Sequence, residues 1–167
     1  HIMSRPIRVL ELRSVRGVTR LVGTGVENSL SALAPLLGDG AVSPQREAVV
    51  AAMNGVVGDH LETNGNPLAI PMQFRQQGQP LLGKELRTRI PEATGKRLGL
   101  VDGLCMDDLE WDYAGHDHGE ALRADLGYTP VYLHYNTGRH ISSNGHEFAE
   151  ALERLAQAWP VPLEEIA

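Results

Sequence analysis

The sequence predicts an α/β protein with a mainly parallel sheet, and two patterns carry this fold class. Towards the carboxyl terminus, two short apolar runs, 98–102 and 130–135, indicate buried strands, and each is followed by a helical pattern. An alternation of strand and helix is typical of parallel sheets with right-handed crossovers. Upstream, alternating apolar residues on either side of a turn at 76–80 predict an antiparallel hairpin.

Helical periodicity fills the region before the hairpin. Apolar residues at three- and four-residue spacing predict one helix over 15–37. Ser43 followed by Pro44 predicts the N-cap and the first position of a second helix. These patterns predict a helical amino-terminal extension over 4–62 and an α/β domain over 63–167. We expect the helices to pack on the rest of the domain, because their polar faces lack the Lys and Arg enrichment of membrane-surface helices.

Two later helices are predicted together with their starting residues. One covers 119–126, and Asp117 with Glu120 three residues later fits a capping box at its start. The other covers 144–159, with Ser143 as its N-cap. Both predictions place a polar side chain where the first turn of a helix leaves backbone N–H groups without partners in the helix.

Composition and charge bound the class of function. The net charge of −6 and the lack of any run of more than two Lys or Arg argue against nucleic acid as a partner, because phosphate contacts need clustered cations. Cys105 is the only cysteine, which excludes an internal disulfide. No apolar run is long enough to span a membrane and no signal-peptide pattern is present, so we expect a cytoplasmic protein. Residues 1–3, His-Ile-Met, are interpreted as the remnant of an expression tag.

Four stretches of the sequence carry a family resemblance. They are Val101-Asp-Gly-Leu-Cys-Met-Asp-Asp-Leu-Glu-Trp111, Gly115-His-Asp-His-Gly119, Leu126-Gly-Tyr-Thr-Pro130 and Tyr132-Leu-His-Tyr-Asn-Thr-Gly-Arg-His-Ile141. Together they resemble the amino-terminal half of bacterial α/β-hydrolases of the lipase/esterase type, over residues 15–167. The resemblance implies a partial α/β-hydrolase fold and the cleavage of carboxylic esters by a serine nucleophile.

The resemblance also implies where the parts of such a site lie. In these hydrolases the strand equivalent to 98–102 ends at an oxyanion loop, which places Asp102, Gly103 and Leu104 in that region. The N–H of Leu104 would be a donor to the oxyanion. The strand that carries the nucleophile lies beside the same strand, and the pair Ile166-Ala167 would begin it. No cofactor and no metal ion are implied.

Two features depart from the family's pattern. None of the seven serines, at positions 4, 14, 29, 31, 43, 142 and 143, lies in Gly-x-Ser-x-Gly, so the nucleophile and the acid and histidine that follow it are absent from these residues. The family has His-Gly where this chain has Asp102-Gly103, and a carboxylate close to a developing oxyanion repels it. We therefore expect an ester hydrolase that is truncated before its nucleophile and inactive as given. The alternative is a non-catalytic binding or interaction module derived from a hydrolase.

Polar residues after the run 130–135 admit more than one interpretation. Arg139 and His140 lie on its carboxyl side, where open α/β sheets bind ligands, so they either position a substrate or tie their loop to the sheet. Ser142 or Ser143 beside His140 or His146 offers a serine–histidine pair on residue types alone. That pair is disfavoured because nothing nearby marks a strained elbow.

The histidine-rich segment and the cysteine have similar alternatives. The candidate zinc ligands are His116, His118, Glu120, and His134 or His140. A single His-x-His without further ligands at set spacings is weak, so the capping box at Asp117 is favoured over a metal site. Cys105 is either a nucleophile or a packed thiol, and packing is favoured for a lone buried cysteine.

The missing nucleophile strand predicts how the chain assembles. Without a neighbour the strand 98–102 is an edge, and its residues Leu98 to Val101 carry no charge that would blunt it. We expect either a homo-oligomer or an association with a complementary carboxyl-terminal fragment. The small-molecule partner of the completed site would be a carboxylic ester.

Overall fold

The structure, a computed structural model, describes residues 25, 44–83, 85–106, 111–113 and 115–167. The predicted helix over 15–37, apart from Gly25, and residues 1–3 lie outside the described residues. The described residues form two compact units. The first joins the residues up to Ile70 with two loops, 103–106 and Asn136–His140, and the second contains the sheet and the helices packed on it.

The second unit is built on a five-stranded mixed sheet. Its strands are β1 (Gln73–Gln76), β2 (Gln79–Pro80), β3 (Lys96–Val101), β6 (Thr129–His134) and β7 (Glu165–Ile166), in the order β2-β1-β6-β3-β7. β3 is parallel to both β6 and β7, while β1 is antiparallel to β2 and β6. A separate short ribbon pairs β4 (Asp112–Tyr113) with β5 (His116–Asp117). The predicted α/β class is confirmed.

A buried charged residue lies within β3, ahead of the apolar run. The prediction started this strand at Leu98, whereas the strand begins at Lys96. Arg97 is 1% exposed, and its guanidinium carbon lies 5.7 Å from the centre of the Trp159 ring, a cation–π contact. Burial lowers the pKa of Arg97, because a charged group is disfavoured away from water. A buried arginine interrupts the apolar pattern from which strands are predicted.

β7 occupies the side of β3 that the sequence predicted to be a free edge. It pairs in parallel with the first two residues of β3. The Gly99 N–H donates to the Ala167 carbonyl over 2.8 Å, and the Ala167 N–H donates to the Arg97 carbonyl over 2.9 Å. The predicted free edge at 98–102 is therefore wrong at Gly99, because the Gly99 N–H is bonded to the chain's own residue 167.

The hairpin of β1 and β2 confirms the prediction from alternating residues and a Gln-Gly turn. Gln77 and Gly78 form a two-residue connection with φ of 50° and 70°. Positive φ at both positions is the type I′ geometry, whose twist matches that of hairpin strands. Glycine adopts this conformation without a steric penalty, so Gly78 makes the tight turn possible.

Helix α1 (Pro44–Thr63) begins where the Ser-Pro pair predicted. It is kinked at Val57, whose φ of −129° and ψ of 23° are not helical. Its buried side chains form the core of the first unit, which consists of Ala52, Met53, Val57 and Leu61. α2 (Leu86–Arg89) is a single helical turn. No helix in the described ranges, α1 included, is long and apolar enough to cross a membrane.

Helix α3 (His118–Leu126) confirms the predicted helix and its cap. The Asp117 carboxylate accepts hydrogen bonds from the N–H groups of Gly119, over 2.7 Å, and Glu120, over 3.1 Å. The Tyr132 hydroxyl on β6 donates to the same carboxylate over 2.6 Å. Asp117 therefore caps α3 and also ties its first turn to the sheet.

Helix α4 (Ile141–Ala158) begins earlier than the predicted start at Asn144. Ser142 and Ser143 lie in its exposed first turn, so the predicted N-cap at Ser143 is wrong. The apolar residues that mark the buried face of this helix start only at Phe148. The first two turns therefore carry little hydrophobic signal, and serines at an exposed helix start resemble caps in sequence.

Helices cover both faces of the sheet in the second unit. Successive residues of a strand point to opposite faces, so Val131 and Leu133 of β6 face one side while Pro130 and Tyr132 face the other. Gly119 of α3 lies against Pro130 and Tyr132. The opposite face packs against α4 in a buried cluster of Met72, Phe74, Leu86, Ile90, Val131, Leu133, Ala151, Leu155 and Trp159.

Replacing Gly119 by alanine is expected to destabilise the protein. The new methyl group would clash with the Tyr132 hydroxyl and lie 2.8 Å from side-chain carbons of Leu100 and Pro130. Relieving these contacts costs about 1–3 kcal/mol. The matched control is Gly145→Ala in α4, where nothing lies within 4 Å of the new methyl group. The control gains about 0.5–1 kcal/mol from helix propensity. Urea denaturation followed by circular dichroism measures both, and equal stabilities would contradict close packing at Gly119.

Candidate functional site

A tight turn of four residues, 103–106, follows β3 in the chain, and we call it the β3 turn. The Met106 N–H donates to the Gly103 carbonyl over 3.3 Å, which closes the turn. Cys105, at the third position, has a φ of 63°, and positive φ at this position is a property of type II turns. Leu104, at the second position, is 66% exposed. The turn therefore presents its second residue to solvent.

Thr137 and Gly55 hold the β3 turn against α1. The Cys105 N–H donates to Thr137 Oγ1 over 3.1 Å. A Cβ atom on Gly55 would clash with Cys105 Sγ and would lie 2.9 Å from the Cys105 backbone N and Cα atoms. The turn thus lies so close to the helix backbone that a side chain at Gly55 would displace it.

The backbone amides of the β3 turn differ in what they bind. The N–H of Met106 is bonded within the turn, and that of Cys105 is bonded to Thr137. No acceptor in the described part of the chain is bonded to the N–H of Leu104. The family resemblance implies oxyanion binding by this amide of Leu104, and a backbone N–H without a partner in the described residues can donate to a negatively charged oxygen.

The loop Asn136–His140, which we call the β6 loop, follows β6 and lies against α1. Asn136 is 1% exposed, its Nδ2 donates to the Gly58 carbonyl over 3.0 Å, and its Oδ1 accepts from the Gly138 N–H over 3.2 Å. A Cβ atom on Gly138 would clash with the carbonyl oxygen of Asn54. The β6 loop therefore meets the backbone of α1 at two points.

Arg139 and His140, the two predicted substrate-loop residues, are paired with carboxylates of α1. Arg139 Nε forms an ion pair with Glu62, and the backbone N–H of His140 donates to Asp59 Oδ1 over 3.2 Å. His140 Nε2 also lies 3.8 Å from Asp59 Oδ2. These contacts favour the interpretation that both residues tie the loop down, although they tie it to α1. A substrate contact of Arg139 and His140 stays a prediction.

Asn54 connects α1 to the segment that follows it. Its side chain is fully buried, and its Nδ2 donates to the carbonyls of Val50, over 2.9 Å, and Leu68, over 2.8 Å. Its Oδ1 accepts from the Ile70 N–H over 2.9 Å. A buried amide whose donors and acceptor are all paired fixes the backbone on both sides of it. Asn54 therefore stabilises the part of α1 on which both loops rest.

Sequence reasoning missed the residues that assemble this site. They are Asn54, Gly55, Gly58, Asn136 and Thr137. One signal was present, because Gly55 and Gly58 interrupt a helical pattern, and isolated glycines in a helix mark close packing when they have a structural role. The residues that these glycines contact lie far away in the sequence, so the pattern of α1 alone cannot identify them.

Asp102 follows β3 in the second unit. It is 8% exposed, and its backbone carbonyl accepts a hydrogen bond from the Tyr135 hydroxyl over 2.9 Å. The pKa of Tyr135 is raised, first by burial and then by the charge of Asp102. The carboxylate is thus buried enough for its charge to act on a neighbouring side chain with little screening by water.

The histidine-rich segment is arranged as the capping interpretation requires. The rings of His116 and His118 are exposed and meet edge to face, with centres 5.0 Å apart. Asp117, between them, caps α3. Among the residues that the structure describes, no group of three or more His, Cys, Asp or Glu is placed to hold a metal ion.

The Cys105 thiol is expected to react slowly. Burial raises the pKa of Cys105, and only the thiolate is nucleophilic. We expect iodoacetamide at about pH 8 to alkylate Cys105 more slowly in the folded protein than in the same chain unfolded by guanidinium, with the difference narrowing as the pH rises. Mass spectrometry of the alkylated fraction over time measures both rates. Faster alkylation of the folded chain would contradict the burial of the thiol and favour the nucleophile alternative.

A scan against protein-family models, a search of curated proteins and a search of solved structures each find no match to this chain. The site is therefore interpreted from its own residues and geometry. These establish that the loops following β3 and β6 contact each other and are both held on α1.

Proposed function

We propose that this chain provides the oxyanion-binding part of a serine carboxylic-ester hydrolase of the lipase/esterase type, with an α/β-hydrolase fold. The observation that carries the proposal is the N–H of Leu104, which lies in an exposed turn after β3 and has no partner among the described residues. In acyl transfer, backbone N–H groups in such a turn stabilise the negative oxygen of the tetrahedral intermediate.

The order of the strands supports the proposal. β6, β3 and β7 are parallel neighbours, so their carboxyl ends lie at one edge of the sheet, where open α/β sheets bind ligands. β7 lies directly beside β3. The family resemblance implies that the nucleophile strand has this same position next to β3. In lipase/esterase-type hydrolases, the serine after the nucleophile strand and an amide after the neighbouring strand approach the same acyl carbonyl.

The proposed reaction assigns one role to these residues. A serine hydroxyl adds to the ester carbonyl and passes its proton to a histidine, while the carbonyl oxygen becomes an oxyanion bound by the N–H of Leu104. Collapse of the intermediate expels the alcohol, which takes the proton from the histidine, and water then releases the acid by the same steps. None of the 167 residues lies in a Gly-x-Ser-x-Gly motif, so the proposed role is confined to binding the oxyanion.

A chimeric enzyme tests this function. Residues 1–167 are joined to the carboxyl-terminal half of a lipase/esterase-type α/β-hydrolase so that β7 continues into its nucleophile strand. Release of nitrophenolate from 4-nitrophenyl butyrate measures the activity. We expect the chimera to turn over and residues 1–167 alone to give no more than the denatured control. A folded but inactive chimera, beside an active donor enzyme rejoined from its own halves, would contradict the proposal.

The variant Leu104→Pro separates the amide from the side chain. We expect it to lower the kcat of the chimera by about 100- to 1,000-fold, because proline lacks the N–H that binds the oxyanion. Proline is common at the second position of type II turns, so the turn itself should persist. Leu104→Ala is the matched control and keeps the N–H. An equal loss in both variants would show that the side chain matters and that the donor is assigned wrongly.

Removal of the Asp102 charge is expected to raise the activity of the chimera. Asp102→Asn removes the charge at nearly constant volume, and Asp102→His introduces the residue of the related hydrolases. Each should raise kcat by about tenfold or more, since repulsion of a neighbouring oxyanion in a poorly hydrated site is lost. Comparison of the two variants separates the effect of removing the charge, which both share, from the effect of introducing a histidine, which only Asp102→His has. An unchanged kcat in both variants would show that the carboxylate does not act on the oxyanion.

A further inference from the structure

We propose that Thr137 is a positioning residue for the β3 turn. Its hydroxyl accepts the Cys105 N–H and thereby fixes the turn that carries the Leu104 amide. The catalytic consequence rests on the proposed function, whereas the effect of Thr137 on the turn does not and is measured separately.

The β3 turn needs a contact from outside because its third residue is strained. The φ of 63° at Cys105 lies in the left-handed region, where Cβ of a residue other than glycine crowds the backbone. Rotation of the peptide between Leu104 and Cys105 would relieve this strain, since it converts a turn with positive φ at the third position into type I geometry. That rotation would swing the Cys105 N–H away from Thr137. The bond to the Thr137 hydroxyl therefore opposes the rotation.

Thr137 is itself held between two anchored residues. Before it, the buried Asn136 side chain donates to the Gly58 carbonyl. After it, Gly138 approaches the carbonyl of Asn54 so closely that a side chain would not fit. The hydroxyl thus has a fixed position relative to α1, and the turn acquires the same fixed position by bonding to it.

The hydrogen bond to Thr137 involves the N–H of Cys105 and not that of Leu104. A threonine hydroxyl accepts hydrogen bonds, and here it engages the N–H of Cys105. The amide of Leu104 is left as the donor without a partner in the described structure. Without the hydroxyl, rotation of the central peptide would exchange the positions of the Leu104 carbonyl and the Cys105 N–H, and the turn would have more than one geometry. The Leu104 amide, which belongs to the preceding peptide, would then be held less precisely, so binding of the reacting group would weaken.

Amide hydrogen exchange in the 167-residue chain tests the contact. In the unaltered protein the Cys105 amide should exchange more slowly than the Leu104 amide after correction for intrinsic rates. Thr137→Val keeps the shape but removes the acceptor, and it should speed exchange at Cys105 about fivefold or more, as expected for one net hydrogen bond. Thr137→Ser should keep the slow rate. Thr63→Val is the control, because the Thr63 hydroxyl donates to the Asp59 carbonyl at the end of α1.

Two outcomes of the exchange experiment would overturn the inference. One is equal exchange at Cys105 and Leu104 in the unaltered protein, a comparison that does not depend on the folding of any variant. The other is slow exchange at Cys105 that persists in a folded Thr137→Val protein.

The chimera tests the catalytic consequence. Thr137→Val should lower kcat about fivefold or more, with KM unchanged, and Thr137→Ser should restore it. An unchanged kcat in an active Thr137→Val chimera would overturn the positioning role even if the exchange results hold. If every form of the chimera is inactive, the proposed function fails and the catalytic consequence fails with it. In that case the exchange rates alone decide whether Thr137 holds the turn.

Discussion

The approach of backbone to backbone at Gly55 and Gly138 is the constraint on which the first unit depends. At Gly55 the helix packs directly against the β3 turn, and at Gly138 the β6 loop packs directly against carbonyl groups of the helix. Both contacts are possible because glycine has no Cβ atom. Contacts this short leave no space for compensating side-chain movement, so the loops take up the geometry of α1 directly. The helix that precedes the sheet is therefore part of the candidate site.

Two buried asparagine side chains also fix the backbone of α1 and of the segments that pack on it. Asn54 pairs with backbone groups before and after it in the chain, and Asn136 joins the β6 loop to α1. A buried amide left unpaired is costly, so each of these residues selects one arrangement of the backbone around it. Asp117 has the corresponding role in the second unit, where one carboxylate satisfies helix N–H groups and the hydroxyl of Tyr132. Fixed polar contacts of this kind are what a turn needs if its amide is to bind an oxyanion without reorganisation.

Local signals explain what the sequence could predict, and non-local packing explains what it could not. The hairpin at Gln77 and Gly78 and the cap at Asp117 depend on residues next to each other, and both predictions are confirmed. The start of α4 and the first residues of β3 were misplaced, because an exposed helix turn and a buried Arg97 both depart from apolar periodicity.

Within the candidate site, the position of the β3 turn after a strand was predictable from an apolar run that ends in glycine. What holds it was not, because no pattern near Cys105 points to Thr137 or Gly55. The same is true of Arg139 and His140, whose partners on α1 lie far upstream in the sequence. The oxyanion assignment itself depends on the family resemblance and stays a proposal.

The first unit is discontinuous in sequence, and this affects how it forms during synthesis. Asn136 reaches Gly58 across 78 residues, and His140 reaches Asp59 across 81. At ribosomal rates, α1 precedes the loop that packs on it by about 4–16 seconds. Loop closure over such separations is slow compared with helix formation, so α1 forms early but gains its contacts with the β6 loop late. During that interval the backbone of α1 at Gly55 and Gly58 lacks the β6-loop residues that pack on it in the folded chain.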